Sequence, residues 1–222
     1  MPFGRYLWKN SYPSSTNLFD ELLSNLQFDI WEHQYTNETI IAFKGTDELV
    51  DLIDGDLTVI LSLTYDEAKK KVEEYRKNLQ KRGISKRQIR LTGHSLGGGL
   101  AISVSVKKGL DAIVFNTSPR TFHGFDKNES AMRKAIFQKG ELLKYVRKFY
   151  PKFSEKIPSK DIIKTSFTYG EASNHRKDWL FESLLNHRID LLAEGILRCS
   201  TSKDLAKIAE EFEKKRVTCY LD

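Results

Sequence analysis

The five residues Gly93-His94-Ser95-Leu96-Gly97 constrain this chain more than any other stretch. They follow the short β-rich run Ile89-Arg90-Leu91-Thr92 and precede a helix-compatible stretch, Gly98 to Lys108, closed by Gly109. A Gly-x-Ser-x-Gly sequence between a strand and a helix forms a tight corner that holds the serine hydroxyl out towards solvent. Both glycines have a steric reason, because a Cβ at either position would collide across the turn. The context therefore predicts a strand, a sharp corner carrying Ser95, and a helix that ends at a glycine cap.

Around that corner the chain alternates. A helix is expected over about Ser15 to Asn25, where Leu18, Phe19, Leu22, Leu23 and Leu26 recur at helical spacing. Two strand-like runs, Phe28 to Tyr35 and Thr39 to Lys44, joined by Thr36-Asn37-Glu38, read as a hairpin. Thr64-Tyr65-Asp66-Glu67 reads as a capping box that opens a long polar helix ending near Arg82-Gly83. After the corner come an apolar run, Ala112 to Phe115, and a short strand, Ala135 to Phe137. A helix from Glu141 to Tyr150 is stopped by Pro151, and Asp161 to Tyr169 has β character. The rest reads as helices over Lys177 to Leu185, Ile189 to Arg198 and Lys203 to Lys215. Alternating strands and helices indicate an α/β fold, with a mostly parallel central sheet and helices on both faces. No repeat, low-complexity segment or long linker divides the sequence, so one domain over residues 1–222 is expected. The loop Tyr150 to Lys160, with Pro151 and Pro158, is the candidate insertion or mobile cover.

Composition narrows the classes. At 222 residues and 40% hydrophobic content the chain can bury a sizeable core. No uninterrupted apolar run approaches the ~20 residues that span a bilayer. Met1 to Tyr6 lacks the basic-then-apolar layout of a secretory signal. Cys199 and Cys219 make no disulfide framework and read as thiols of a reducing compartment, so a cytoplasmic location is expected. The net charge is +6, with basic residues gathered at Lys69-Lys70-Lys71, from Lys81 to Arg90 and from Arg133 to Lys152. Interspersed acids, and the lack of a basic-aromatic RNA motif, favour a solvated charged surface over a nucleic-acid site. Peripheral contact with an anionic membrane stays open.

A serine hydroxyl is a poor nucleophile near neutral pH, so Ser95 needs a base and a group to orient that base. On an elbow of this kind the partners follow in the order serine, acid, histidine. His175 and His187 satisfy that order near the start of a late helix. His123 precedes any plausible acid, and His33 and His94 precede the serine. His94 reads as part of the elbow, packing beside Ser95. His175 suits a base by lying in a loop with Ser173 and Asn174. His187 is preferred because it opens a helix whose Ile189, Leu192, Ala193, Ile196 and Leu197 form an apolar face able to hold the ring still. The acid should lie just beyond the C-terminal end of a strand. Glu141 meets that condition, although a carboxylate there also suits a helix N-terminus. Asp111 and Asp161 stand at the wrong ends of their strands, and Asp126 is a weaker alternative. The oxyanion donors would be the Leu96 N–H and Thr46, which ends the run Phe43-Lys44-Gly45-Thr46.

Three stretches together resemble a known family. Phe43-Lys44-Gly45-Thr46 with Asp51 and Asp54, the elbow Gly93 to Gly98, and Val114-Phe115-Asn116-Thr117-Ser118-Pro119-Arg120 are similar to the motifs of class 3 (fungal-lipase-like) lipases. These belong to the α/β-hydrolases. The resemblance covers roughly Thr39 to Arg120 and implies an α/β-hydrolase fold and hydrolysis of carboxylic esters such as acylglycerols or phospholipids. It implies Ser95 as nucleophile, Thr46 and Leu96 as oxyanion donors, and an acid and a histidine downstream. Lys44 stands where the family has arginine, Leu52 where it has tryptophan, and Glu141 where it generally has aspartate. The run Leu57 to Leu63 is a candidate lid, though better read as a buried element. Rival readings on the same machinery are a thioesterase, an acyltransferase or a peptidase. A non-catalytic binding protein of hydrolase shape is a further alternative. No metal-ligand cluster or phosphate-cradling loop is present in the sequence, so no cofactor and no metal are expected.

Overall fold

The computed structural model describes residues 2–3, 5–13, 26–45, 58–119, 130–138, 140–148, 162–165, 183–184 and 187–198. Eight strands form one sheet in the order of the chain: β1 Pro2–Phe3, β2 Tyr6–Tyr12, β3 Phe28–His33, β4 Thr39–Phe43, β5 Ile89–His94, β6 Asp111–Phe115, β7 Arg133–Gln138 and β8 Ile162–Thr165. Among the described residues four α-helices accompany them: α1 Thr58–Lys81, α2 Ser95–Lys108, α3 Leu143–Lys148 and α4 Ile189–Arg198.

The sheet is mixed. β4 to β8 run parallel, while β1 to β4 pair antiparallel. The expectation of a mostly parallel sheet therefore holds only for the half that carries the elbow. β2 has no apolar alternation because residues Trp8 to Asn10 are exposed and neither face is deeply buried. Its pairing comes from the backbone ladder with β1 and β3, which leaves no period-two signal in the sequence. The β3–β4 hairpin forms as expected, with Asn37 at φ 56° in its turn. Asparagine tolerates that left-handed conformation better than most residues.

Register brings Phe43, Gly93, Val114 and Ala135 side by side across β4 to β7. Ile41, Leu91 and Ala112 form the row before it. All of these apolar side chains are buried. α2 packs on β4, β5 and β6, and α1 lies against α2. Every residue of α2 from Ser95 to Val106 is buried, so this helix is enclosed rather than amphipathic. Gly109 closes it at φ 62° with its N–H on the Ser105 carbonyl.

α1 begins at Thr58, so Thr64 to Glu67 lie inside the helix instead of opening it. Thr64 thus has no helix start to cap, and the Glu67 carboxylate accepts the hydroxyl of Tyr12. Tyr65 is fully buried beside it. Residues 58–63 of the lid candidate fall on the first turns of α1, and Leu63 is 65% exposed rather than buried. The helices expected over 15–25 and 203–215 lie outside the described residues, as do both cysteines and most of 177–185. Among the described residues no helix is long and apolar enough to cross a membrane.

Candidate active site

The C-terminal ends of β4 to β7 converge on one place, as a parallel sheet requires. β5 ends at His94 and α2 starts at once with Ser95, which sits at φ 53°. A non-glycine residue held at positive φ costs about 1–3 kcal/mol and persists only where its surroundings fix it. The two elbow glycines do that. A Cβ on Gly93 would overlap the backbone of Gly97, and one on Gly97 would overlap the carbonyl oxygen of Phe43. Gly45, just before Thr46, also closes on the corner: a Cβ there would come 2.8 Å from the His94 carbonyl oxygen and 3.5 Å from Ser95 Cβ.

The exposed hydroxyl expected at Ser95 is not observed, since the residue is only 1% exposed. The segment after β6 and the turn before α4 pack against the elbow. The Ser118 N–H donates to the Ser95 carbonyl at 2.9 Å. The His94 Nε2–H donates to the His187 carbonyl at 2.6 Å. The rings of His94 and His187 lie 4.7 Å apart, centre to centre. Burial, reinforced by the neighbouring His187, lowers the His94 pKa to about 4. His94 is therefore neutral near pH 7, and its role is to hold the backbone of His187.

His187 is 2% exposed, and its Nδ1–H donates to Glu141 Oε2 at 2.8 Å. Glu141 lies three residues beyond β7 and is fully buried. Oε2 also accepts the Leu143 N–H at 2.8 Å, so the carboxylate caps α3 and holds the imidazole at once. The two readings of Glu141 are compatible. Its other oxygen, Oε1, pairs with Arg147 Nη2. His187 Nε2 and Ser95 Oγ are both buried and, among the described residues, have no hydrogen-bond partner. Two buried groups without partners are costly, and here both belong to the same cluster.

Asn116 and Arg147 were not singled out by sequence reasoning. Asn116 directly follows β6 at φ 40°, accepts the Gln138 N–H at 2.8 Å and donates to the His187 carbonyl at 3.3 Å. Its signal was an asparagine directly after a strand, a residue type suited to left-handed backbone and to bonding nearby main chain. Arg147 spans from the Thr117 carbonyl, 2.7 Å from Nη1, to Glu141. Burial holds its pKa below the ordinary arginine value, an effect that Glu141 opposes. No local pattern marks an arginine in a basic helix as buried. Of the remaining candidates, Leu96 follows the serine on α2 and is 7% exposed. Asp111 lies at the start of β6 and accepts the Met132 N–H at 2.9 Å, well away from the elbow end of that strand. His33 is at the end of β3, packed against Tyr6. Thr46, His123, Asp126, Asp161 and His175 lie outside the described residues.

A family model, that of the Tle-like phospholipase domain, matches residues 13–147. The chain belongs to this phospholipase-like family. The match takes in the hairpin, the elbow, Glu141 and Arg147, while His187 lies beyond it. It supports a lipase/phospholipase-type ester hydrolase and is consistent with a lipid ester substrate. It does not single out the class 3 lipases within that wider group. No curated protein gives a significant match to the Tle-like chain.

Proposed function

We propose that this chain is a single α/β-hydrolase domain that cleaves a carboxylic ester of a phospholipid or acylglycerol through an acyl-serine intermediate. One observation carries the reading: a buried imidazole, His187, is fixed through Nδ1 to Glu141 while its Nε2 and the elbow hydroxyl of Ser95 both lack partners among the described residues. Resemblance of the elbow, of Phe43 to Thr46 and of Val114 to Arg120 to class 3 lipase motifs supports the same assignment.

Ser95 Oγ attacks the ester carbonyl carbon and its proton passes to His187 Nε2. Catalytic hydrogen bonds are commonly long or absent in unliganded enzymes and tighten with substrate. Glu141 keeps the proton of Nδ1 in place and stabilises the imidazolium. The Leu96 N–H and Thr46 receive the negative charge on the carbonyl oxygen. Collapse expels the alcohol, which takes the proton from Nε2, and water then releases the acid by the same steps in reverse order. An ester reaches a serine that is 1% exposed only when the groups over the elbow move aside.

The test is turnover of a phosphatidylglycerol substrate and of short p-nitrophenyl esters, run beside matched thioesters and amides. Ester hydrolysis should dominate and should vanish in Ser95→Ala. Preferred thioester or amide cleavage would favour the rival enzymes, and no turnover at all would leave a binding protein of this shape.

A further inference from the structure

Glu141 differs from a surface carboxylate in having no access to water, and from a shorter aspartate in having one more rotatable bond. Both of its oxygens are engaged: Oε2 by His187 and by the α3 backbone, Oε1 by Arg147. Arg147 is itself pinned. Its side chain is 12% exposed, its Nη1 donates to the Thr117 carbonyl at 2.7 Å, and its guanidinium lies 3.9 Å from the centre of the Phe137 ring. Thr117 is adjacent to Ser118, whose N–H holds the Ser95 carbonyl. The guanidinium therefore links the segment that packs on the elbow with the carboxylate that holds the imidazole.

We propose that Arg147 is a positioning residue for hydrolysis, clamping Glu141 in the rotamer that aims His187 at Ser95. This rests on the reading of Ser95, His187 and Glu141 given above. A forked guanidinium suits the task, because two of its N–H groups can satisfy two acceptors in fixed directions while its face rests on an aromatic ring. A buried carboxylate without that partner would face an uncompensated desolvation cost. Its second oxygen would be left without the bond that fixes the side-chain torsions. The clamp touches no substrate, so its removal should act on the chemical step and spare ground-state binding.

The experiment is a double-mutant cycle on ester hydrolysis with purified protein whose folding is checked by circular dichroism. Arg147→Met should lower kcat, and with it the fluorophosphonate labelling rate of Ser95, by roughly tenfold to a hundredfold while KM stays within about twofold. In a Glu141→Gln background the same change should lower the fluorophosphonate labelling rate of Ser95 by less than about twofold, because the clamp acts only through the carboxylate. Arg147→Lys keeps the charge, but one ammonium cannot match the two-pronged geometry, so kcat should fall between wild type and Arg147→Met. If Arg147→Met fails to fold, Arg147→Lys decides alone: reduced kcat at unchanged KM supports the clamp, and wild-type kcat overturns it. Equal losses in both backgrounds would also overturn it, since a purely structural arginine behaves that way. Ser95→Ala and His187→Asn controls separate the two levels. If either control retains hydrolysis, the underlying reading fails. If both are inactive and Arg147→Met is fully active, only the clamp fails.

Discussion

Ser95 carries two features that are unfavourable for stability. Its φ of 53° is unfavourable for a residue with a Cβ, and its hydroxyl is buried without a hydrogen bond to any described residue. Removing the hydroxyl should therefore cost nothing in stability. Ser95→Ala is expected to abolish hydrolysis and keep or slightly raise the thermal midpoint. Ser95→Gly, which also relieves the backbone strain, should add about 1 kcal/mol, read from denaturant unfolding. Loss of more than about 1 kcal/mol in Ser95→Ala would mean that the hydroxyl has a structural partner. His94 makes a different bargain. Its pKa of about 4, against an ordinary 6.5, means that the folded state binds fewer protons than the unfolded state between those values. That contribution is fully present above pH 6.5 and is lost as pH falls towards 4. It amounts to at most roughly 3 kcal/mol. Unfolding measured at pH 7 and pH 5 should show wild type losing more stability than His94→Gln. Parallel losses in the two proteins would sink the assignment. Glu32 and Glu73, held below the usual carboxylate range by Arg82 and Arg76, act only at lower pH and do not confuse this window.

At the scale of elements, the elbow was the most legible part because its geometry leaves so few residue choices. Gly97 faces the end of β4 so closely that a Cβ would overlap main-chain atoms, which cannot swing away as a side chain can. Gly97→Ala should cost about 3 kcal/mol or more, measured by denaturant unfolding, with activity lost alongside. A change below 1 kcal/mol would show that the β4 end and α2 are less tightly joined. Strands β3 to β7 could also be read from the sequence, because each is a short run of apolar or β-branched residues. β2 could not, since its middle faces solvent. The start of α1 was misplaced because local chemistry at Thr64 and Glu67 mimics a helix N-terminus while a distant tyrosine claims the glutamate. That contact joins residues 55 apart in the chain and has no trace in a local window.

At the scale of the molecule, the same divide between local and distant explains what the sequence revealed of the site. The proposed Ser95 and Glu141 were chosen for their places at strand ends, and His187 for chain order together with a helix able to anchor it. The bonds that join them to Asn116 and Arg147 depend on how four strand ends meet, and no spacing rule encodes that. The surface charge tells a similar story. Several members of the basic clusters are paired or buried: Lys69 with Asp66, Lys71 with Glu74, Arg82 with Glu32, Arg90 with Glu38, and Arg133 inside the core against Ser105. The 36 basic residues thus overstate the free positive surface, while each pair removes one charge of either sign and leaves the net +6 unchanged. Vesicle binding should accordingly rise only modestly with phosphatidylglycerol content and weaken in salt. Binding that is steep in anionic lipid would point instead to a dedicated basic docking face. The whole account turns on a buried imidazole activating one hydroxyl. The most direct measurement is mass-spectrometric mapping of the adduct left by a fluorophosphonate probe, in wild type and in His187→Asn. A single adduct on Ser95 that disappears in His187→Asn is the expected result. An adduct on another residue, or undiminished labelling of Ser95 without His187, would contradict it.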